Sequence, residues 1–288
     1  MAVTLFENRN QRGSRRRINA DLADLRNMAI DKPGSITMTS ARDEVLLFKN
    51  DDWRGGVHYL RGSQTINNLG SRAQGGRNTF GNSIRSVRVS PFTVDLNITV
   101  VKNNAGDLPG PWRTETIATR SLSRIVLMMN AFLEGQQALL QVRTARITFR
   151  TDENRFVLRR NQGVPSSWKE RSEIDVIIVD RFENEGLFGV AALPHGGQTV
   201  RIAGKLNPAS GGDVVLTQDF IALVLMHELG HYLGLAHGTS DDDRDNLMFP
   251  SGDQDVDRLT TKTLTTAQIR EMHQRLSRNP TRRRDRDD

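Results

Sequence analysis

The chain has no cysteine among its 288 residues. Disulfides, thiolate metal ligands and a cysteine nucleophile are therefore excluded, although the compartment is not thereby identified. Tyrosine is nearly as scarce, with only Tyr59 and Tyr232 present. No apolar run reaches the roughly 18 residues that span a bilayer. The longest, around Ile125–Met129 and Phe220–Met226, suit buried helix segments. The opening Met-Ala-Val-Thr-Leu-Phe-Glu-Asn lacks a basic leader followed by an apolar core, so no secretory signal is expected there. With 36% hydrophobic and 26% charged residues, the balance is that of a globular protein. The length fits one large domain or two ordinary ones.

The formal charge of +6 is unevenly spread. Residues 1–92 hold 15 Lys and Arg against 8 Asp and Glu, and the remainder holds 25 against 26. A basic surplus can attract nucleic acid, anionic polysaccharide or membrane. Arg15-Arg16-Arg17 is too short a run to define such a site. The surplus reads as a solvated arginine-rich face, with no clear nucleic-acid partner.

The first 90 residues read as all-β. Short runs at Val3–Phe6, Ser35–Thr39, Val45–Phe48 and Ser86–Val89 are separated by Gly-, Asn- and Asp-rich turns. A weak internal repeat runs through them. Val3-Thr-Leu-Phe-Glu-Asn-Arg-Asn-Gln-Arg-Gly13 parallels Val45-Leu-Leu-Phe-Lys-Asn-Asp-Asp-Trp-Arg-Gly55, and each copy closes on a serine strand, at Ser35 and Ser86. The copies are offset by 42 residues at Val3 and Val45 and by 51 at the serines. Such a repeat predicts two similar units that share one core.

This pattern resembles the βγ-crystallin double Greek key. Phe48, Trp53, Gly55 and Ser86 match the second unit of that pattern. Phe6, Gly13 and Ser35 match the first, where Gln11 replaces the second aromatic. The resemblance implies an aromatic pair over a folded hairpin, a glycine in a backbone conformation other residues resist, and a serine that ties the hairpin down. Many such domains bind Ca2+ through short Asn/Asp and Ser/Thr segments. The corresponding segments here are Ile30–Ser35 and Gly81–Ser86, each missing one Asn/Asp, with Gly34 and Arg85 at the Ser/Thr position. Calcium needs six to eight oxygens, so a structural or adhesive β-domain without calcium is the favoured expectation.

A boundary falls near Ser90-Pro91, beyond which the pattern turns to mixed α/β. Strands are expected at Thr93–Val101, Ala145–Arg150, Ile174–Val179, Leu187–Leu193 and Val200–Ile202. Asn103–Pro111 is a turn-rich loop. Helices are expected at Ser121–Leu140, Thr217–Leu233 and Thr265–Ser277. That order suggests a mostly open sheet with helices packed on it.

The segment that carries chemistry is His227-Glu-Leu-Gly-His231-Tyr-Leu-Gly-Leu-Ala-His237. On a helix, residues i and i+4 share a face, so His227 and His231 can point at one metal ion. Phe220–Met226 is almost wholly apolar, so the helix should be buried and its ligands rigidly held. Gly234 is suited to end the helix in a left-handed conformation, which turns the chain back and brings in His237. Three protein ligands leave a fourth position for water, the mark of a catalytic Zn2+ rather than a structural one. Glu228, beside the first ligand, is placed to take the proton of that water as general base and return it to a leaving amine. Three of only six histidines fall in this segment. His58, His195 and His273 show no such spacing and read as ordinary histidines.

The segment resembles the long zinc signature of the metzincin metalloproteases. Asn246-Leu-Met248-Phe-Pro250 resembles their Met-turn, in which Met248 would form an apolar floor beneath the metal. Leu264–Met272 looks like the closing helix of the matrixin-like members. Gly238 stands where matrixins carry Ser or Thr, which leaves the subfamily open. No tyrosine follows Met248, so a tyrosine ligand of the astacin kind is not expected, and latency through a zinc-blocking cysteine is excluded. The resemblance implies that a protein or peptide substrate lies extended along an edge strand, with Leu187–Leu193 the candidate. Asp241-Asp242-Asp243 and Asp245 could bind Ca2+ near the site, with a solvated acidic loop the favoured alternative.

Two domains are therefore expected. Residues 1–91 would form an all-β, βγ-crystallin-like Greek key domain. Residues 92–278 would form an α/β (α+β) metzincin-type catalytic domain, and 279–288 a charged disordered tail. The expected function is a zinc-dependent endopeptidase. The alternative is a non-catalytic zinc-containing binding protein whose crystallin-type domain binds a surface or inhibits. The family resemblance favours an extracellular location, with a cytoplasmic one as the alternative given the absent signal. The oligomeric state is not legible.

Overall fold

In the computed structural model, the residues described are 3–26, 33–41, 43–51, 53, 57–69, 84–159, 162–169, 174–183, 187–191, 199–206, 214–238, 244–249 and 258–278. They divide into two units. The first comprises the chain up to Phe92, the short segment Gln137–Leu139 and the last helix, and the second runs over Thr93–Gln136 and Leu140–Thr265.

The first unit holds strands β1 (Val3–Phe6), β2 (Arg15–Ile18), β3 (Ser35–Met38), β4 (Glu44–Phe48), β5 (Val57–Arg61), β6 (Gln64–Ile66) and β7 (Ser86–Arg88). One sheet runs β2-β1-β3-β6 and the other β5-β4-β7. The two copies of the repeat exchange strands. β6 from the second copy pairs with β3 of the first, while Leu22 of the first bridges Val87 of the second. This exchange is why neither copy buries its apolar face alone. Val3, Leu5, Ile18, Ile36 and Met38 of the first copy share one core with Val45, Leu47, Leu60, Ile66 and Val87 of the second.

Each repeat folds its hairpin over a buried serine. Ser35 Oγ donates to the Asn8 carbonyl at 2.6 Å and accepts from the Gln11 N–H at 2.9 Å. Ser86 Oγ donates to the Asn50 carbonyl at 2.7 Å and accepts from the Trp53 N–H at 3.0 Å. Gln11 and Trp53 hold matching left-handed angles, φ 59° and 54°. The glutamine thus reproduces the backbone of the aromatic position without its ring. Gly55 and the Asp31 and Gly81–Ser83 parts of the calcium-type segments lie outside the described residues.

Strands β2, β5 and β6 go beyond those expected. Arg15-Arg16-Arg17-Ile18 shows no apolar alternation because β2 is an edge strand with exposed arginines. Strand β4 reads as a continuous apolar run because it is covered on both faces. Val45 and Leu47 enter the shared core, and Leu46 and Phe48 are also fully buried. Phe48 meets Phe92 edge-on at 6.1 Å, and Phe92 in turn stacks at 5.5 Å on His273 of the last helix.

That helix, α4 (Thr266–Arg278), was expected in the second domain. It groups instead with the first unit. Ile269, Met272, His273 and Leu276 are buried, one apolar stripe at helical spacing that needs a partner surface. His273 Nε2 lies 2.6 Å from the Ala138 carbonyl and its ring 5.7 Å from Tyr59 of β5. The expected charged tail, 279–288, lies outside the described residues.

The second unit is built on a five-stranded sheet of order β13-β14-β11-β8-β9. Its strands are β8 (Phe92–Lys102), β9 (Leu140–Thr151), β11 (Ile174–Val179), β13 (Gly189–Ala191) and β14 (Thr199–Ala203). β10 (Val157–Leu158) pairs with β12 (Arg181–Phe182), and β15 (Lys205–Leu206) with β16 (Val214–Val215). β8, β11 and β14 are parallel, and β13 closes one edge antiparallel. Helices α1 (Glu115–Gly135) and α3 (Gln218–Tyr232) pack on each other and on the sheet, with a single turn, α2, at Glu153–Phe156.

α1 starts earlier than its apolar spacing suggested because Thr114 caps it, accepting from the Ile117 N–H at 3.2 Å. It stops earlier because Gln137 and Leu139 adopt φ 52° and 47°. The apolar spacing runs on through Ala138–Leu140, but the chain has left the helix there and Leu140 begins β9. Among the described residues no helix is long and apolar enough to cross a membrane.

Candidate metal centre

α3 is apolar almost all round, with Phe220–Met226 and Leu229 buried, as befits a helix inside a core. Thr217 caps it, accepting from the Phe220 N–H at 3.2 Å. His227 and His231 stand one turn apart on it. Leu233 ends the helix, and Gly234 follows at φ 99° with its N–H on the His231 carbonyl at 3.0 Å. The chain turns back at that point, and His237 meets the other two histidines.

The three rings are held so that one nitrogen of each faces the same point. His227 Nδ1 lies 2.7 Å from the Leu247 carbonyl and His231 Nδ1 lies 2.9 Å from the Leu235 carbonyl. A carbonyl only accepts, so each Nδ1 carries the proton and each Nε2 presents a lone pair. His227 Nε2 is 3.2 Å and His231 Nε2 is 2.9 Å from His237 Nε2. Converging lone pairs repel unless a proton or a cation lies between them. Ligands at the usual Zn–N distance of about 2.0–2.1 Å on a tetrahedron sit about 3.3 Å apart, close to the separations seen. Burial pushes the His227 imidazole down to about 4 and lowers His231 as well, so both are neutral at pH 7, the form that ligates metals. Among the described residues this is the one group of three His, Cys, Asp or Glu with ligand atoms close enough to share an ion.

Glu228, next in sequence to His227, is buried against strand β13. Burial pushes its carboxyl up to about 7, against the opposing influences of the Ala191 N–H bonded to it and the Arg201 charge. β13 approaches so closely that a Cβ on Gly189 would lie 2.7 Å from Glu228 Oε1 and 2.8 Å from Val224 Cγ1. This strand lies within the expected Leu187–Leu193 edge and pairs with β14. Ala192 and Leu193 fall outside the described residues.

Met248 is fully buried against α3, where a Cβ on Gly230 would meet its Sδ at 2.6 Å. Its N–H donates to Asn246 Oδ1 at 2.9 Å, and its carbonyl accepts from Gly238 at 3.0 Å. The methionine turn is thereby joined to the loop that carries His237. Asp241–Asp243, Pro250 and His195 lie outside the described residues. Asp245 contributes its backbone carbonyl to Thr263. His58 and His273 are buried in the first unit, and Tyr232 is buried within α3.

Sequence reasoning missed Gly189, Gly230, Ala191 and the two ring-orienting carbonyls. Gly230 left a signal, since a glycine inside a buried helix costs about 1 kcal/mol relative to Ala and usually marks a close approach. Backbone carbonyls leave none.

No family model and no curated protein matches the chain. Solved structures of βγ-crystallin type match about a third of it. A βγ-crystallin from Ciona intestinalis is 21% identical, over 31% of this chain and all (100%) of that one, with a TM-score of 0.26. The N-terminal domain of Protein S is 17% identical over 31% of this chain and 93% of its own, with a TM-score of 0.25. A βγ-crystallin domain from Clostridium beijerinckii is 19% identical over 31% and 95%, also with a TM-score of 0.25.

Proposed function

We propose that this chain is a zinc-dependent endopeptidase of metzincin-like type. The observation that carries the reading is the convergence of three Nε2 atoms, two of them oriented by backbone carbonyls, beside a buried carboxyl. His227, His231 and His237 would hold the ion. Bound zinc would lower the pKa of a water toward neutrality and polarise a scissile carbonyl.

Glu228 supplies the proton transfers. As a carboxylate beside the ion, it would take a proton from the attacking water and return it to the departing amine. Ala191 and Gly189 hold that carboxyl in place from the strand side. β13, bonded to β14 on one side, offers its other edge to an extended peptide, which main-chain pairing would align past Glu228. Met248 and Gly230 brace the turn that carries the ligands from below. No covalent acyl-enzyme is required.

The test is metal content together with casein cleavage. The wild-type chain should carry one zinc and cleave casein. Glu228→Ala should keep the zinc and lose cleavage by about 10²–10⁴-fold. A chain that takes up no zinc, or a Glu228→Ala variant that cleaves normally, sinks the reading.

A further inference from the structure

In the β-unit, acidic groups and arginines outside the β1–β2 hairpin make ion pairs and hydrogen bonds, whereas five arginines of that hairpin make no ion pair among the described residues. Asp21 accepts from the Val89 and Ser90 N–H groups and lies 3.5 Å from Arg88 Nε. Asp24 and Asp51 bracket Arg26 at 2.8 and 2.6 Å. Asp43 accepts from Thr39 and Ser40, and Glu7 from Ser14. Arg9, Arg12, Arg15, Arg16 and Arg17 are all exposed, and none makes an ion pair among the described residues. The hairpin β1–β2 with its turn thus carries five exposed arginines, against the single acidic residue Glu7.

The hairpin's geometry limits what it can bind. β2 is an edge strand, paired only with β1 in the register Phe6 to Arg15 and Thr4 to Arg17. Side chains alternate along a strand. Arg15 and Arg17 thus stand on one face, about 7 Å apart, and Arg16 on the other, so the charges flank the strand edge on both sides. Among the described residues the exposed large apolar ones are Ile117, Leu127 and Val215, all in the other unit. Among its described residues the β-unit has no exposed aromatic. The hairpin therefore offers no apolar wedge for lipid and no stacking platform for bases. It offers guanidinium forks, which bind oxyanions in bidentate fashion.

We propose that the β1–β2 hairpin is a docking edge for a linear sulfated polysaccharide, which the arginines grip from both sides of β2. This site would hold the enzyme on an acidic matrix, and it stands independently of the chemistry at His227–His237.

The experiment is binding of the full chain to heparin across a salt series, by calorimetry. The expected result is saturable binding whose logarithmic salt slope falls by about one for each arginine removed. Arg15→Gln/Arg16→Gln/Arg17→Gln should weaken binding at least 30-fold, and Arg15→Gln/Arg17→Gln should fall between it and wild type, with both thermal melts unchanged. Single-stranded DNA, duplex DNA and phosphatidylserine vesicles of equal charge should bind at least tenfold more weakly. The control is Arg113→Gln/Arg120→Gln/Arg124→Gln, three exposed arginines of the other unit. An equal loss in that control would mean that net charge alone drives binding and would overturn the proposal. Equal affinity for DNA or vesicles would also overturn it. So would β2 variants that aggregate while still binding heparin, because the arginines would then only protect a sheet edge.

Discussion

At the foot of each β-unit hairpin, a serine hydroxyl sits between a carbonyl and an amide, so every donor meets an acceptor. In the α/β unit three imidazole nitrogens face one another at 2.9 and 3.2 Å, with the protons of His227 and His231 turned outward. Both are tight polar clusters, and both are built by turns that leave helical or extended geometry. The first is complete by itself and holds the fold. In the second, two lone pairs face a third nitrogen, and a proton or a cation must lie between them. A polar cluster that folding leaves unbalanced is a better sign of a ligand than burial or spacing alone.

The largest test of this contrast is the cation itself. Zinc at a thousand times its dissociation constant should stabilise the α/β unit by about 4 kcal/mol, read as a rise in Tm that a chelator reverses. His231→Ala should abolish the rise, while Ser86→Ala should leave it intact.

His273 offers a second contrast, being a lone histidine rather than one of three. Burial holds its pKa down to about 4, with Arg88 adding to the depression. The unfolded chain, with an ordinary value near 6.5, binds the proton more readily. Stability is therefore fully present above about pH 6.5 and is lost as pH falls through about 4. At about 1.4 kcal/mol per pKa unit, the loss is on the order of 3 kcal/mol. Denaturant melts of the wild type and His273→Gln between pH 7 and 3.5 should diverge by that amount.

Gly189→Val tests whether the strand sets the carboxyl. Its side chain would enter space already held by Glu228, and misplacing a catalytic group by about 1 Å costs up to about 10²-fold. The expected outcome is a fall in kcat with zinc content unchanged. An unaltered kcat would show that Glu228 is held by other means.

The smallest effect compares the two hairpins with each other. Ser86→Ala leaves the Trp53 N–H and the Asn50 carbonyl unmet beneath a half-buried ring, at about 1–3 kcal/mol. Ser35→Ala should cost less, because Gln11 and Asn8 are exposed and water can replace the hydroxyl. Equal losses would mean that the missing aromatic at Gln11 does not matter to hairpin stability.

Much of the β-unit was legible from the paired Phe, Gly and Ser positions, because a folded hairpin needs a left-handed corner and something to tie it. β2 was not, since an edge strand of three arginines carries no apolar period. The approach of His227 and His231 was legible because helix geometry converts the i, i+4 spacing directly into a shared face. Their orienting carbonyls, at Leu235 and Leu247, were not, because any residue supplies a carbonyl and only the chain path aims it. α4 shows the same limit. Its buried stripe was readable, but which surface would cover that stripe was not.

From the sequence alone came the three histidines, the neighbouring carboxyl, the helix-ending glycine and the two-copy β pattern. Each is a local rule of backbone geometry or spacing. Tertiary structure decided that Gly189 and Ala191 close on Glu228, that Gly230 admits Met248, and that α4 belongs to the β-unit. These are contacts between distant segments, and they depend on which surfaces are left exposed once each element has formed. No local rule encodes that.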